Sequence, residues 1–444
     1  MTLNLFIRTG TSEPALSFAA IALGALLLFV TACTGRRDQL PADLILTGGA
    51  VLTLDPQLPQ AEAIAVRDGR IVSVGDEAMI AGMAGPSTRR IDLGGGLVVP
   101  GLIDAHGHIS SLGRRLENID LRGVDSIDEV ARRVAARTAE LPQGAWVTGG
   151  GWDQNLWPGK AFPDHRPLTR VSPDRPVWLR RIDGHAGWAN EAAMRAAGIS
   201  AATADPSGGS IERDAGGEPT GVFVDNATSL IEDAIPEADR ERIKTWIVTA
   251  LDHCARVGLT GVHDAGITEE ELAAFLELAE ENRLPLRVYL MWSGMGGEDL
   301  ERLLDQPPLL NHHDRLTLRA VKLMIDGAMG SRGAVFFEDY DDDPGNRGLL
   351  VMQPDEVERA ATLALRRGYQ VATHAIGDRA ISLTLDAYEK ALAAAPTEDP
   401  RPRIEHLQCV RERDIGRMKR LGVIASMQPT HATSDMYWGE QRVG

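Results

Sequence analysis

The sequence predicts an α/β protein built on a parallel-sheet β/α barrel, preceded by an all-β segment and interrupted by a long insertion. Seven short apolar runs recur after residue 100, with helical runs between the later ones. Alternation of buried strands with helices implies a parallel sheet with right-handed crossovers. Polar residues gather at the C-terminal ends of those runs: His106, His108, His263, Lys322, His374, His406 and Gln428. That end of a β/α barrel carries its active site.

Taken in order, residues 1–33 are read apart from the fold. "PALSFAAIALGALLLFVTAC" is an apolar stretch behind a lone Arg8, and it ends in Thr31, Ala32 and Cys33. It resembles a bacterial lipoprotein signal, in which Cys33 becomes the lipidated N-terminus after cleavage. The competing reading is an uncleaved anchor, since about 17 apolar residues are marginally long enough to span a bilayer. Either reading exports the protein and leaves it membrane-anchored, facing the periplasm or the cell exterior. Residues 34–42 then form a short flexible tether.

Residues 43–99 have an all-β character. "DLILTGG" and "AVLTLD" are short β-rich runs separated by glycines. "EAIAVRDGRIVSVGD" holds two alternating strands around Asp68-Gly69, a hairpin signal because the tight turn needs positive φ at both central residues. "TRRIDLGGGLVVPG" adds one or two strands.

Residues 100–444 carry the barrel pattern. The strands are "GLIDAHGH", "GLTGVHDAG", "LPLRVYLMW", "RAVKLMIDGA", "GYQVATHAIGD", "RIEHLQ" and "GVIASMQP". "ERIKTWIVTALDHCARVG" is a helix stopped by Gly258, and "TEEELAAFLELAEENRL" is one started by Thr268 with an acidic first turn. "QPDEVERAATLALRRG" and "AISLTLDAYEKALAAA" are similar. An insertion at about residues 110–240 follows the first strand and holds Trp152, Trp157, Trp178, Trp188 and the hairpin "SIERDAGGEPTGVF". Two readings of it stay open: a lid that shapes a substrate pocket, or a structural subdomain with the tryptophans as its core.

Composition narrows the function. The formal net charge is −17 with no Lys/Arg run, which argues against nucleic acid and anionic lipid surfaces as partners. The cysteines Cys33, Cys254 and Cys409 form no CxxC pair, so a disulfide framework or a thiolate zinc site is not expected. Cys254 and Cys409 read as small buried residues.

The chemistry lies in "GLIDAHGHI". Side chains at i and i+2 of a strand share a face, so His106 and His108 project together and suit two ligands on one metal. Gly107 between them leaves the opposite face free for close packing. Lys322, inside the apolar strand "RAVKLMIDG", is costly to bury as a cation. Burial would supply a neutral amine able to take up carbon dioxide as a carbamate, an anion that can bridge two metal ions. A lysine that snorkels out, or pairs with Asp326, is the competing reading. His374 and His406 complete four imidazoles on the strand ends of one barrel, and imidazole suits zinc and related ions.

Together "PGLIDAHGHI", "VKLMIDGAMGSRGA", "THAIGDRA", "RIEHLQ" and "SMQPTHATSD" resemble the amidohydrolase superfamily. Within it they resemble the family 3 branch of N-substituted formamide deformylases and YtcJ-like hydrolases. The resemblance implies a metal-dependent β/α (TIM-like) barrel with a small β-sandwich formed by the flanking segments. Carried over, His106 and His108 bind a first metal, Lys322 bridges as a carbamate, and His374 and His406 bind a second. Asp378 and Asp326 would orient ligands. His374, Asp378 and His185 are the catalytic candidates, with a structural role the competing reading for His185 and His263.

The pattern departs from the family at one point. The family ends its eighth strand with an aspartate, usually in "GSD", whereas this chain stops at Gly444 soon after the seventh strand. Asp435 in "ATSD" stands too close to that strand to replace it and belongs to the loop. The expectation is therefore a barrel lacking its last strand here, a truncated piece of a longer protein with exposed strand edges.

The expected activity is hydrolysis of a carbon–nitrogen bond in a small non-peptide amide or formamide. A hydroxide activated by one or two divalent ions, zinc first among them, would attack. The alternatives are a non-catalytic binding lipoprotein, or a deaminase, decarboxylase or isomerase on the same scaffold.

Overall fold

Alternating apolar residues build the first of two compact units, which ends at Pro100. The computed structural model describes residues 40–444, apart from positions 143, 183, 207, 295, 296 and 331. The signal segment 1–33, Cys33 and positions 34–39 of the tether lie outside the described residues. A four-stranded sheet runs in the order Arg70–Gly75, Ala63–Arg67, Ala42–Thr47, Ala84–Asp92. A three-stranded one holds Gln60–Ala61, Ala50–Leu52 and Leu97–Val98. Asp68 and Gly69 both take positive φ, 50° and 70°, as the hairpin turn requires. Ile45, Ala63 and Ala65 pack with Ile80 of the helix Glu77–Ala81, which the strand pattern did not foretell.

The second unit, Gly101–Gly444, contains the barrel. Seven strands lie side by side in chain order, every neighbouring pair parallel: β1 (Leu102–Gly107), β2 (Leu259–Ile267), β3 (Arg287–Ser293), β4 (Leu316–Met324), β5 (Gln370–Ala375), β6 (Arg403–His406) and β7 (Ile424–Ser426). The short strand Leu309–His312 pairs antiparallel with β4. Among the described residues β1 and β7 are the edges of this nearly closed sheet, and Leu102 and Ile103 of β1 are 62% and 59% exposed. The fold is thus the expected TIM-like barrel with additional sheets.

The helices are α1 (Ile109–Glu117), α2 (Arg240–Arg256), α3 (Glu269–Glu280), α4 (Pro354–Arg366), α5 (Asp378–Ala394) and α6 (Glu412–Leu421). Thr268 and Glu271 form a reciprocal capping box at the start of α3. Apolar faces of these helices cover the outer side chains of the strands: Ile247 and Leu251 of α2, Phe275 and Leu278 of α3, and Val357 of α4 pack with Val288, Leu290 and Val371. Gly113 is needed where α1 crosses α2, because a Cβ there would stand 2.0 Å from the Trp246 carbonyl oxygen. Inside the barrel Ala265, Met291, Ala320 and Ala372 form a small apolar layer.

The insertion folds as a six-stranded sheet in the order Gly209–Arg213, Pro219–Asp225, Ala186–Ala189, Val177–Arg181, Val147–Trp152, Ile119–Asp120. Its tryptophans decide between the two readings. Trp152, Trp157 and Trp188 are buried against one another with ring centroids 5.7–6.1 Å apart, and each indole N–H is bonded to a backbone carbonyl of the same subdomain. They are the core of the insertion, as buried aromatic residues with satisfied polar ends usually are.

Candidate active site

Parallel register brings the polar strand ends to one mouth of the barrel. His106 is the penultimate residue of β1, and His108 continues the extended backbone as the N-cap of α1 with φ −134° and ψ 92°. The two rings therefore stay on one side, 5.5 Å apart between centroids. Gly107 is not required by packing, contrary to expectation. A Cβ there would meet its nearest neighbour, the His263 carbonyl oxygen, at an ordinary 3.6 Å. Lys322 on β4 pairs with Ser293 of β3 and Ala372 of β5, and Met324 pairs with His374.

His406 reaches the same place by a different device. A regular strand would turn Glu405 and His406 to opposite faces. His406 and Leu407 instead adopt φ 72° and 47°, a left-handed backbone uncommon for such residues. The His406 ring consequently lies 4.6 Å from both the His106 and His374 rings. The structure thus brings together His106, His108, His374 and His406.

Hydrogen-bond partners fix which ring nitrogen keeps a lone pair. Glu405 Oε2 lies 2.5 Å from His106 Nδ1, and a carboxylate can only accept, so Nδ1 donates and Nε2 is free. His406 Nδ1 donates to Gln428 Oε1 at 2.6 Å, with the amide oriented by its own bond to the Ser426 carbonyl. His374 Nε2 faces the Gly327 carbonyl at 3.3 Å and Asp326 Oδ1 at 3.5 Å, which leaves Nδ1 available. His263 is the opposite case. Its Nδ1 accepts from Arg403 at 2.8 Å, so its proton sits on Nε2, and its ring packs 4.7 Å from Tyr289.

Electrostatics favour neutral bases. Burial lowers His374 to about 4 and His406 to about 3. Burial and then Lys322 lower His108. Burial also lowers Lys322, whose charge is felt at His108, His374 and His406. Burial raises Glu405, but the bonds from His106, Ser426 and Arg403 and the Arg403 charge outweigh it and hold the carboxyl at about 2. Asp326 is raised to about 6 by burial, against three backbone N–H bonds from Val335, Ile376 and Gly377.

A metal fits this donor set. Neutral imidazoles whose second nitrogen is tied to an acceptor are the form in which histidine ligates. Among the described residues no three His, Cys, Asp or Glu side chains converge as a single-ion group. The His406 ring stands equally near His106 and His374, 4.6 Å from each, and His108 lies 5.5 Å from His106.

Other sequence candidates lie elsewhere. Asp378, in the first turn of α5, accepts from the Phe337 backbone N–H at 3.0 Å and from Arg411 at 2.7 Å, and none of the four imidazoles is among these partners. His185 is 74% exposed on the inserted sheet, 2.8 Å from Asp225. Asp435 accepts from Gln408 at 2.7 Å. Two residues that sequence reasoning passed over stand at the site. Glu405, within the quoted "RIEHLQ", orients His106, and His431, within "SMQPTHATSD", has its ring 5.6 Å from that of His406.

Asp264 supports the mouth from behind. Only 2% exposed, it accepts from the Ile109 N–H at 3.2 Å, at the start of the helix that His108 caps. Burial, and then the like charge of Glu271, raise its carboxyl from 3.8 to about 8. Between those values the folded state keeps a proton that the unfolded state has lost, so stability falls as pH rises through that window. Asp264→Asn keeps an acceptor for Ile109 and cannot ionise. Chemical denaturation should show it more stable than the parent by roughly 1–3 kcal/mol at pH 8, with the gap closing toward pH 4. A gap independent of pH would show that Asp264 does not titrate in this way.

Polar strand ends meeting at one mouth of a parallel barrel define a barrel enzyme by fold and site. Residues 89–444 match the amidohydrolase family, and the chain belongs to it, a family of hydrolases. It is 37% identical over 409 residues to Protein LONG AFTER FAR-RED 3 of Arabidopsis thaliana, covering 89% of this chain and 69% of that one. It is 33% identical to the putative amidohydrolase YtcJ of Bacillus subtilis, over 89% of this chain and 75% of that one. It is 31% identical to the N-substituted formamide deformylase of Arthrobacter pascens, over 90% and 74%. Among solved structures, an uncharacterized metal-dependent hydrolase from Pyrococcus furiosus superposes with a TM-score of 0.76 at 31% identity, over 90% of this chain and 80% of that one.

Proposed function

We propose that the protein hydrolyses a carbon–nitrogen bond in a small non-peptide amide or formamide, with one or two divalent ions, zinc first among them. One observation carries this reading: three imidazoles at the mouth, His374 buried and His106 and His406 partly so, each have one nitrogen tied to an acceptor and the other free, around the buried Lys322. The likeness to an N-substituted formamide deformylase and to a metal-dependent hydrolase supports it.

His106, His108, His374 and His406 would hold the metal, with Lys322 bridging as a carbamate. A divalent ion bound there would acidify water and polarise the amide carbonyl. Glu405 keeps the His106 proton on Nδ1, and Gln428 does the same for His406. The Gly327 carbonyl and Asp326 keep that of His374 on Nε2. Each ring is thereby held in one tautomer and one orientation, so little reorganisation is needed when substrate arrives.

The test is turnover of N-substituted formamides and simple amides by the full chain, stripped of metal and then reconstituted with zinc. Turnover should appear only with the ion. Equal turnover in a chelator would remove metal from the mechanism, and turnover of esters alone would remove the carbon–nitrogen assignment. Export and a lipid on Cys33 belong to the same proposal on the sequence alone; retention of Cys33→Ser in the membrane fraction would remove the lipid.

A further inference from the structure

A buried ion pair lies behind His106, and its arginine is not used by the chemistry above. Arg403 and Glu405 lie on the interior face of β6, and both are almost wholly buried. Arg403 Nε donates to Glu405 Oε1 at 2.7 Å, and Nη2 reaches Glu405 Oε2 at 3.1 Å. Nη2 also donates to the Ala105 carbonyl of β1 at 2.7 Å and to Ser426 Oγ of β7 at 2.8 Å. Nη1 donates to His263 Nδ1 of β2 at 2.8 Å. Ser426 Oγ closes the circuit by donating to Glu405 Oε2 at 2.6 Å.

We propose that Arg403 is a positioning residue that ties β1, β2, β6 and β7 together inside the barrel and, through Glu405, fixes where the His106 imidazole stands. The proposal rests on the reading of His106 as a metal ligand. Two physical arguments carry it. No ladder joins β1 to β6 or β7 among the described residues, so these side-chain bonds are what locate β1 against them. A buried ion pair is also a weak device for stability, since apolar side chains of similar volume usually serve as well. The neighbouring interior layer of Ala265, Met291, Ala320 and Ala372 is apolar. A guanidinium is what the place requires, because its planar fork reaches acceptors on four strands at once and an ammonium cannot.

The experiment is competition between the full chain and a chromophoric chelator for Zn²⁺, with thermal unfolding measured alongside. Arg403→Lys keeps the charge and loses the fork, and Ser426→Ala removes one link. Lys244→Met is the control: it breaks the bonds of buried Lys244 to the at least partly exposed carboxylates Glu241, Glu277 and Glu281 on and beside α2 and α3, away from the mouth. Arg403→Lys should weaken Zn²⁺ binding by roughly 10–100-fold, the usual cost of disturbing the groups behind a ligand. Ser426→Ala should weaken it by threefold or more, and Lys244→Met should lower the melting temperature without changing affinity. Should Arg403→Lys fail to fold, Ser426→Ala decides. Affinity within threefold of the parent in Ser426→Ala, or an equal loss in Lys244→Met, would overturn the positioning role. A parent chain that takes up no Zn²⁺ would overturn the metal centre itself and this role with it.

Discussion

Alanine at both His106 and His108 should abolish tight zinc binding and all turnover that depends on it. The two rings stand on one side of the β1 end, 5.5 Å apart, and the Nδ1 of His106 is already committed to Glu405. His263 is the nearest imidazole on the next strand, and its Nδ1 accepts from Arg403. The loss should exceed the roughly 10–100-fold that outer partners of a ligand contribute. The fold should survive, because β1 is held by its backbone ladder to β2, and Ile109 of the following helix packs into the core with the α2 residues Ile247 and Leu251. Calorimetric titration with Zn²⁺ and a circular dichroism melt of the same sample separate the two effects. A double variant that folds and binds zinc like the parent would remove the first metal position.

Lys322→Met should change metal uptake and stability in opposite directions. In the metal-free chain Lys322 is a buried amine with its pKa lowered by desolvation. A base depressed in this way binds fewer protons folded than unfolded, so it costs stability at every pH below its ordinary value, more as pH falls. Methionine of similar length removes that cost, and the metal-free variant should melt higher than the parent, by a larger margin at pH 6 than at pH 9. Zinc uptake should weaken by roughly 100-fold or lose one ion, since the proposed bridge between the two imidazole pairs is gone. A lysine that served only packing would leave zinc binding untouched.

Much of this was legible in the sequence because strand ends announce themselves. A histidine or lysine closing an apolar run has few structural reasons to be there, and His106, His108, Lys322, His374 and His406 could each be found that way. Asp68-Gly69 was legible for a similar reason: few dipeptides suit a turn with two positive φ values. Glu405 was not legible, because its partner His106 is 299 residues away and no local pattern joins them. The inward turn of His406 depends on two left-handed residues that carry no glycine to mark them. Arg403 would read as the polar start of a short strand, and only the packing of four strands shows it to be buried. The tryptophans of the insertion could be read either as lid or as core until their neighbours were known.

Zinc uptake by the full chain after stripping with a chelator tests the metal centre most directly. Saturable binding of one or two ions per chain is expected, lost in the His106→Ala, His108→Ala double variant. No uptake, or the same uptake in that variant, would contradict it.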